Sequence, residues 1–193
     1  MAELPALKDT NLLFLDTETG GLNARDHDLV SVACILTDPT GKTVLEEWDT
    51  KVYPMKPVDP KAAAINGYTK EAWANDAIHA SAAMVKVLTM LNGAMMVCHN
   101  TPFDRSFIEA ALWVNRQKWT GRYHTMDTVA IAMPLLRAGL VPNVKLETLS
   151  AYFGIEHVKH RALGDARACR EVFLRLQDIY GPAIEGFAKT RAT

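Results

Sequence analysis

The sequence predicts an α/β fold with a mixed sheet, and three observations carry that prediction. Asn11–Asp16, "NLLFLD", is a short continuous apolar run of the kind a central strand shows when both of its faces are covered. Two more strand-like runs follow it closely, Asp28–Asp38 and Lys42–Pro54. From Ala80 onward the period changes, and short apolar runs alternate with amphipathic helical segments. A meander of strands followed by strand–helix alternation gives a sheet with both antiparallel and parallel neighbours.

Each element has its own signal. "DLVSVACILTD" puts Val30, Val32, Cys34 and Leu36 on one side, and Pro39, Thr40 and Gly41 mark the turn after it. "KTVLEEWDTKVYP" alternates more visibly and reads as a strand nearer the edge. Ala80–Gly93 reads as a helix ended by Asn92 and Gly93, and "AMMVCHN", Ala94–Asn100, returns to strand. "TPFDRSFIEAALWVNRQ" is a helix with Thr101 as its N-cap and Pro102 at its first position. "RYHTMD" is read as a further strand, and "KLETLSAYFGI" and "LGDARACREVFLRLQDIY" as helices, the first closed by Gly154. No repeat, low-complexity stretch or linker-like shift divides the 193 residues. A single domain over 1–193, with its core at roughly 10–180, is the expectation.

Composition narrows the partners. A net charge of −1 supplies no general basic field, so any nucleic-acid site has to be local. Cys34, Cys98 and Cys169 are widely spaced, form no CxxC pair and are expected to be free thiols in a reducing compartment. No apolar run reaches membrane-spanning length, and the N-terminus has no basic-then-apolar leader pattern. A cytoplasmic protein without a membrane partner is expected.

Three acidic sites stand out against this background. Asp16 and Glu18, in "FLDTETGGL", project to the same face if the strand continues through Thr17, and Gly20 and Gly21 follow at once. They lie at the C-terminal end of a central strand, where open α/β sheets place their ligands. In "CHNTPFD", Asp104 shares a helix face with Phe107, Ile108, Ala111 and Leu112. In "HRALGDA", Asp165 heads a stripe continued by Cys169, Val172, Leu176 and Ile179. Taken singly, each has an ordinary explanation: a solvated strand end, a capping box between Thr101 and Asp104, and a first-turn acid favoured by the helix dipole. His160, taken alone, reads as an exposed loop histidine. Together they strain those explanations, because buried acids without partners are rare and clustered carboxylates raise one another's pKa unless cations neutralise them. Oxygen-rich sites of this kind suit Mg²⁺ or Mn²⁺.

The order "DTETGGL", "HNTPFD", "HRALGDA" resembles the three motifs of the DnaQ-like 3′–5′ exonucleases, in the histidine-bearing branch of the DEDD superfamily. The match runs from about Leu13 to Ala168, and "AINGYT", "MDTVAIA" and "KLETLSAYFGI" resemble family segments between the motifs. The resemblance implies a ribonuclease H-like fold with a five-stranded mixed sheet flanked by helices. It implies hydrolysis with two Mg²⁺ or Mn²⁺ ions held by Asp16, Glu18, Asp104 and Asp165, Asp104 acting through water, with His160 as general base. It also implies that Thr17, Thr19, Leu22, Asn66, Asn100 and Phe103 lie about the terminal nucleotide. One departure is Asn66, where relatives often carry His; Asn donates a hydrogen bond but holds no charge, so contacts to that nucleotide are expected to differ.

The implied partner is a nucleic acid 3′ end, with single-stranded DNA favoured over RNA and nucleoside 5′-monophosphates as products. Lys159, Arg161, Arg167 and Arg170 are candidates for phosphate contacts, or else form a solvated helix face. Alternatives at this level are an exoribonuclease, a polymerase or repair partner's proofreading subunit, and a non-catalytic binding module; the presence of all four acids and the histidine ranks the last well below the enzymes. Oligomeric state is not readable from the sequence.

Overall fold

The computed structural model describes residues 5–191, with side chains described to residue 184. After a 3-10 turn at Leu7–Asp9, the chain forms β1 (Leu12–Thr19), β2 (Leu29–Thr37) and β3 (Val44–Lys51). Two short helices follow, α1 (Pro60–Asn66) and α2 (Lys70–Trp73), then α3 (Ala80–Leu91), β4 (Met95–Cys98) and α4 (Thr101–Val114). The described chain ends with β5 (Met126–Asp127), α5 (Thr128–Arg137), α6 (Leu146–Phe153) and α7 (Ala162–Arg191).

The five strands lie in the order β3-β2-β1-β4-β5. β1 pairs antiparallel with β2, and β2 with β3, which completes the expected meander. β4 and β5 add parallel neighbours on the other side of β1. The mixed sheet flanked by helices is therefore as the sequence predicts.

Alternation along β1 divides the core. Leu13 and Leu15 face α3 and α4 through Met84, Val87, Phe107 and Ile108, while Leu12 and Phe14 face α7 through Ala166, Cys169 and Phe173. Phe14 and Phe173 meet edge to face with centroids 5.3 Å apart. Cys34, Cys98 and Cys169 are buried and free.

Two local expectations are corrected, the cap of α4 and the reach of the buried stripe on α7. β1 does continue through Thr17, as the convergence of Asp16 and Glu18 requires; pairing with β2 carries it through Glu18 opposite Ser31 and, past an irregularity in the register, to Thr19 opposite Leu29. β4 follows it only as far as Phe14 opposite Val97, so the last turns of β1 stand free on that side. α4 is capped by Asn100 in the left-handed region (φ 72°), and Thr101 is already helical, its hydroxyl bonded to the carbonyl of Met126 at 2.6 Å. On α7 the buried stripe holds through Leu176 but Ile179 is exposed, because the helix runs on past the sheet. α1, α2 and α5 are helices that the periodicity does not reveal. Among the described residues no helix is long and apolar enough to cross a membrane.

Candidate active site

The free end of β1 builds the site. Asp16 and Glu18 continue the face of Leu12 and Phe14, toward α7, and Thr17 continues the face of Leu13 and Leu15, toward α4. Asp165, in the first turn of α7, reaches the same place from above. One ligand oxygen from each of Asp16, Glu18 and Asp165 lies within 4.8 Å of the others. Three of the four predicted metal ligands thus come together.

Asp104 is not among those three, one of its oxygens being engaged by Thr17, yet its charge acts on Asp16 more strongly than that of Asp165 or Glu18. Its carboxylate is 3% exposed and one oxygen accepts both the backbone N–H of Thr17 at 2.9 Å and the Thr17 hydroxyl at 2.8 Å. The Thr17 N–H points to the side where β4 has already ended, so Asp104 supplies the acceptor a strand would have provided. The capping box that would have been the ordinary explanation of Asp104 does not form, since its carboxylate is engaged by Thr17 of the strand.

The electrostatics are those of buried acids crowded together. Burial lifts Asp16 well above the usual carboxylate range, and Asp104, Asp165 and Glu18 push it in the same direction. Burial, with the nearby Asp165, raises Glu18 to about 7, against an opposing pull from Arg161. Burial likewise raises Asp104 to about 7, although the bonds from Thr17 work against it. Three hard oxygen donors that repel one another suit a divalent cation, which would relieve the repulsion.

The histidines divide unexpectedly. His160 is exposed, takes a left-handed backbone (φ 57°) and lines a cavity of about 330 Å³ with Glu18, Asn66 and Arg161. It is His157, which the sequence reading did not single out, that touches an acid: Nε2 lies 2.5 Å from Oδ1 of Asp165. No spacing rule flags that pair, because the chain between them leaves a loop and enters a helix.

The remaining predicted residues are placed as follows. Asn66 is 5% exposed, and its amide bonds the carbonyl of Thr19 at 3.0 Å and accepts from the N–H of Tyr68 at 3.0 Å. Its side chain therefore braces the end of β1. Thr17 is engaged with Asp104, and the Thr19 hydroxyl bonds the Gly21 carbonyl at 2.7 Å. Leu22 is 89% exposed, Asn100 is exposed, and the half-buried Phe103 packs against Phe107 at 5.1 Å.

Of the candidate phosphate contacts, three are engaged elsewhere. Lys159 pairs with Glu147 at 2.6 Å, Arg167 with Glu47, and Arg170 with the carbonyls of Gly41 and Lys42 at 2.8 and 2.6 Å. Arg161 alone of the four lines the cavity, bonded to the carbonyl of Asn66 at 3.1 Å.

The comparison with known families bears on this constellation. Residues 13–173 match the family model described as Exonuclease, of the RNase T type. The chain belongs to the exonuclease family. Exonucleases of this family depend on divalent metal ions, in keeping with the acidic cluster.

Similar proteins include the DNA polymerase III subunit epsilon of Treponema pallidum, 27% identical over 159 residues that cover 82% of this chain and 72% of that one. The DNA polymerase III subunit epsilon-like protein of Rhodobacter capsulatus is 31% identical over 91% of this chain, which corresponds to 25% of its own length. The PolC-type DNA polymerase III of Thermotoga maritima is 27% identical over 89% of this chain, which spans only 12% of that protein's length.

Among solved structures, E. coli exonuclease I in complex with a dT13 oligonucleotide superimposes with a TM-score of 0.79 at 20% identity, covering 91% of this chain and 43% of that one. Exonuclease I of Methylocaldum szegediense gives 0.77 at 24% identity, covering 94% of this chain and 43% of its own. These likenesses establish the fold, which is ribonuclease H-like.

Proposed function

We propose that this chain is a metal-dependent 3′–5′ exonuclease that releases nucleoside 5′-monophosphates from single-stranded or frayed 3′ ends, with DNA favoured over RNA. The observation that carries the proposal is the convergence of Asp16, Glu18 and Asp165 at the free end of β1. Support comes from the family match and from the oligonucleotide complex of exonuclease I, whose fold this chain shares.

In this reading Asp16, Glu18, Asp104 and Asp165 would hold two divalent cations, Mg²⁺ or Mn²⁺, with Asp104 acting through water. When bound, such ions supply Lewis-acid stabilisation of a phosphodiester's attacking and leaving oxygens. His160 accepts the proton of the attacking water on a ring nitrogen, from its position on the cavity rim beside Glu18. Asn100 and Phe103 lie near the scissile end, and Thr19 and Leu22 touch the terminal nucleotide. Leu22 and Phe103 give its unstacked base an apolar surface, which favours single strands over paired ends. Arg161 lines the same cavity as Glu18, and its charge offsets that acid. A polymerase partner is compatible with the relatives' names, and co-purification with a polymerase or repair protein would test it.

The experiment is digestion of end-labelled DNA and RNA of one sequence, single-stranded and duplex, with Mg²⁺ or Mn²⁺. The expected result is progressive shortening from the 3′ end, fastest for single-stranded DNA. Faster loss of RNA would make the chain an exoribonuclease, and no shortening of any strand would overturn the proposal.

A further inference from the structure

His157 is almost wholly enclosed, its side chain 7% exposed beside an Asp165 side chain that is 14% exposed. Its Nε2 lies 2.5 Å from Oδ1 of Asp165, and the other carboxylate oxygen accepts the backbone N–H of Arg161 at 3.2 Å. An ionised carboxylate only accepts, so the imidazole donates through Nε2–H. Among the described residues Nδ1 has no partner, so the bond to Asp165 is the one the enclosed ring makes there.

The contact is held by the backbone around it. Gly164, in the first turn of α7, lies so close to the loop that a Cβ there would sit 2.2 Å from the carbonyl oxygen of Val158. That oxygen belongs to the residue after His157. Only the missing side chain at Gly164 lets the loop lie against the helix and press the imidazole onto Asp165. The loop and the helix turn together fix both oxygens of one carboxylate.

We propose that His157 is a positioning residue that orients Asp165 toward Asp16 and Glu18 and so tightens divalent-metal binding. This rests on the metal-site reading given above. A donor behind a metal-ligating carboxylate fixes the rotamer of that ligand, and loss of such a partner typically weakens metal binding by about 10–100-fold. The remaining lone pairs of the carboxylate stay available to an ion, so the hydrogen bond and coordination are compatible.

The test is Mn²⁺ affinity of the full chain without nucleic acid, measured by calorimetry or by the loss of the free-ion electron paramagnetic resonance signal. Alongside it, thermal unfolding in EDTA reports on structure. His157→Ala is expected to raise the Mn²⁺ dissociation constant by about 10–100-fold. His157→Gln, whose amide N–H can reach the same oxygen, should recover part of the loss. Gly164→Ala keeps the histidine but displaces its loop, and should weaken binding in the same direction.

A lower melting temperature in His157→Ala with an unchanged Mn²⁺ constant would make the residue merely structural and overturn the proposal. Tighter binding in His157→Ala would also overturn it, since the histidine would then compete with the ion. If the wild-type chain binds no Mn²⁺, or Asp16→Asn binds it as the wild type does, the metal-site reading itself fails. Wild-type binding that Asp16→Asn abolishes and His157→Ala leaves intact sinks the positioning role alone.

Discussion

Thr17 gives both its backbone N–H and its hydroxyl to one oxygen of Asp104, joining the free end of β1 to the first turn of α4. Two acids of the site and the threonine between them are thereby fixed to two different layers of the fold. The neighbours of Thr17, Asp16 and Glu18, point the other way, toward Asp165.

Thr17→Val keeps the shape and the backbone bond but removes the hydroxyl. The buried Asp104 carboxylate would lose one of its two donors from Thr17, at a cost of about 1–3 kcal/mol. Urea denaturation should show a lower midpoint at unchanged slope, and Thr17→Ser should recover most of it. An unchanged midpoint would mean that the hydroxyl bond contributes nothing net.

Asp16→Asn separates stability from activity. Asp16 is lifted far above the ordinary carboxylate range by burial and by three acidic neighbours, so its charge opposes folding in the absence of metal. The variant should melt higher than the wild type in EDTA while losing nucleic-acid hydrolysis by several orders of magnitude. Calorimetry and a gel assay on one preparation check both halves. A variant that melts lower in EDTA would show that Asp16 is compensated without an ion.

The same repulsion fixes a pH dependence. Glu18 and Asp104 are raised to about 7 in the folded chain, from ordinary values of 4.5 and 3.8. Below those ordinary values both states are protonated and these groups cost nothing. As pH rises toward about 7 the unfolded chain releases protons that the folded chain keeps, so stability falls across that interval and levels off above it. Melting temperature in EDTA should therefore decline from about pH 4.5 to 7, and Mn²⁺ should raise it more at pH 8 than at pH 5.5, where protons compete with the ion. Equal metal stabilisation at both values would argue against this site as the binding site.

His160 is exposed and makes no side-chain hydrogen bond among the described contacts, so its removal should leave the fold intact. His160→Ala should lower kcat by about 100-fold or more, the scale of a lost general base, with melting temperature and Mn²⁺ affinity near wild type. Turnover equal to wild type would remove it from the mechanism.

Much of this was written in the residues, unevenly. The run Leu12–Leu15 announces a buried strand, and the stripes headed by Asp104 and Asp165 bring two acids inward by helical period alone. The extent of β1 was not readable, because what carries it past Asp16 is pairing with β2, a contact distant in sequence. α1 hid behind its alanines, although Asp59 and Pro60 at its start and Gly67 (φ 75°) at its end carry ordinary start and stop signals. α5 is short and holds Pro134, which blurred its period.

At the site, the pattern gave the acids but not the bonds from Thr17 that engage one oxygen of Asp104. The engagement of Lys159, Arg167 and Arg170 with protein partners depends on Glu147, Glu47 and the turn at Gly41, which composition does not reveal. Nor does any local rule bring His157 onto Asp165; a close backbone approach at Gly164 does that.

The most direct test follows the first bond broken. Single-stranded DNA labelled at its 3′-terminal nucleotide is incubated with the wild type and with Asp165→Asn, in Mn²⁺ and in EDTA. The account predicts that the label leaves as a nucleoside 5′-monophosphate, with wild-type protein and Mn²⁺ only. Label released within an oligonucleotide, or released equally in EDTA or by Asp165→Asn, would contradict it.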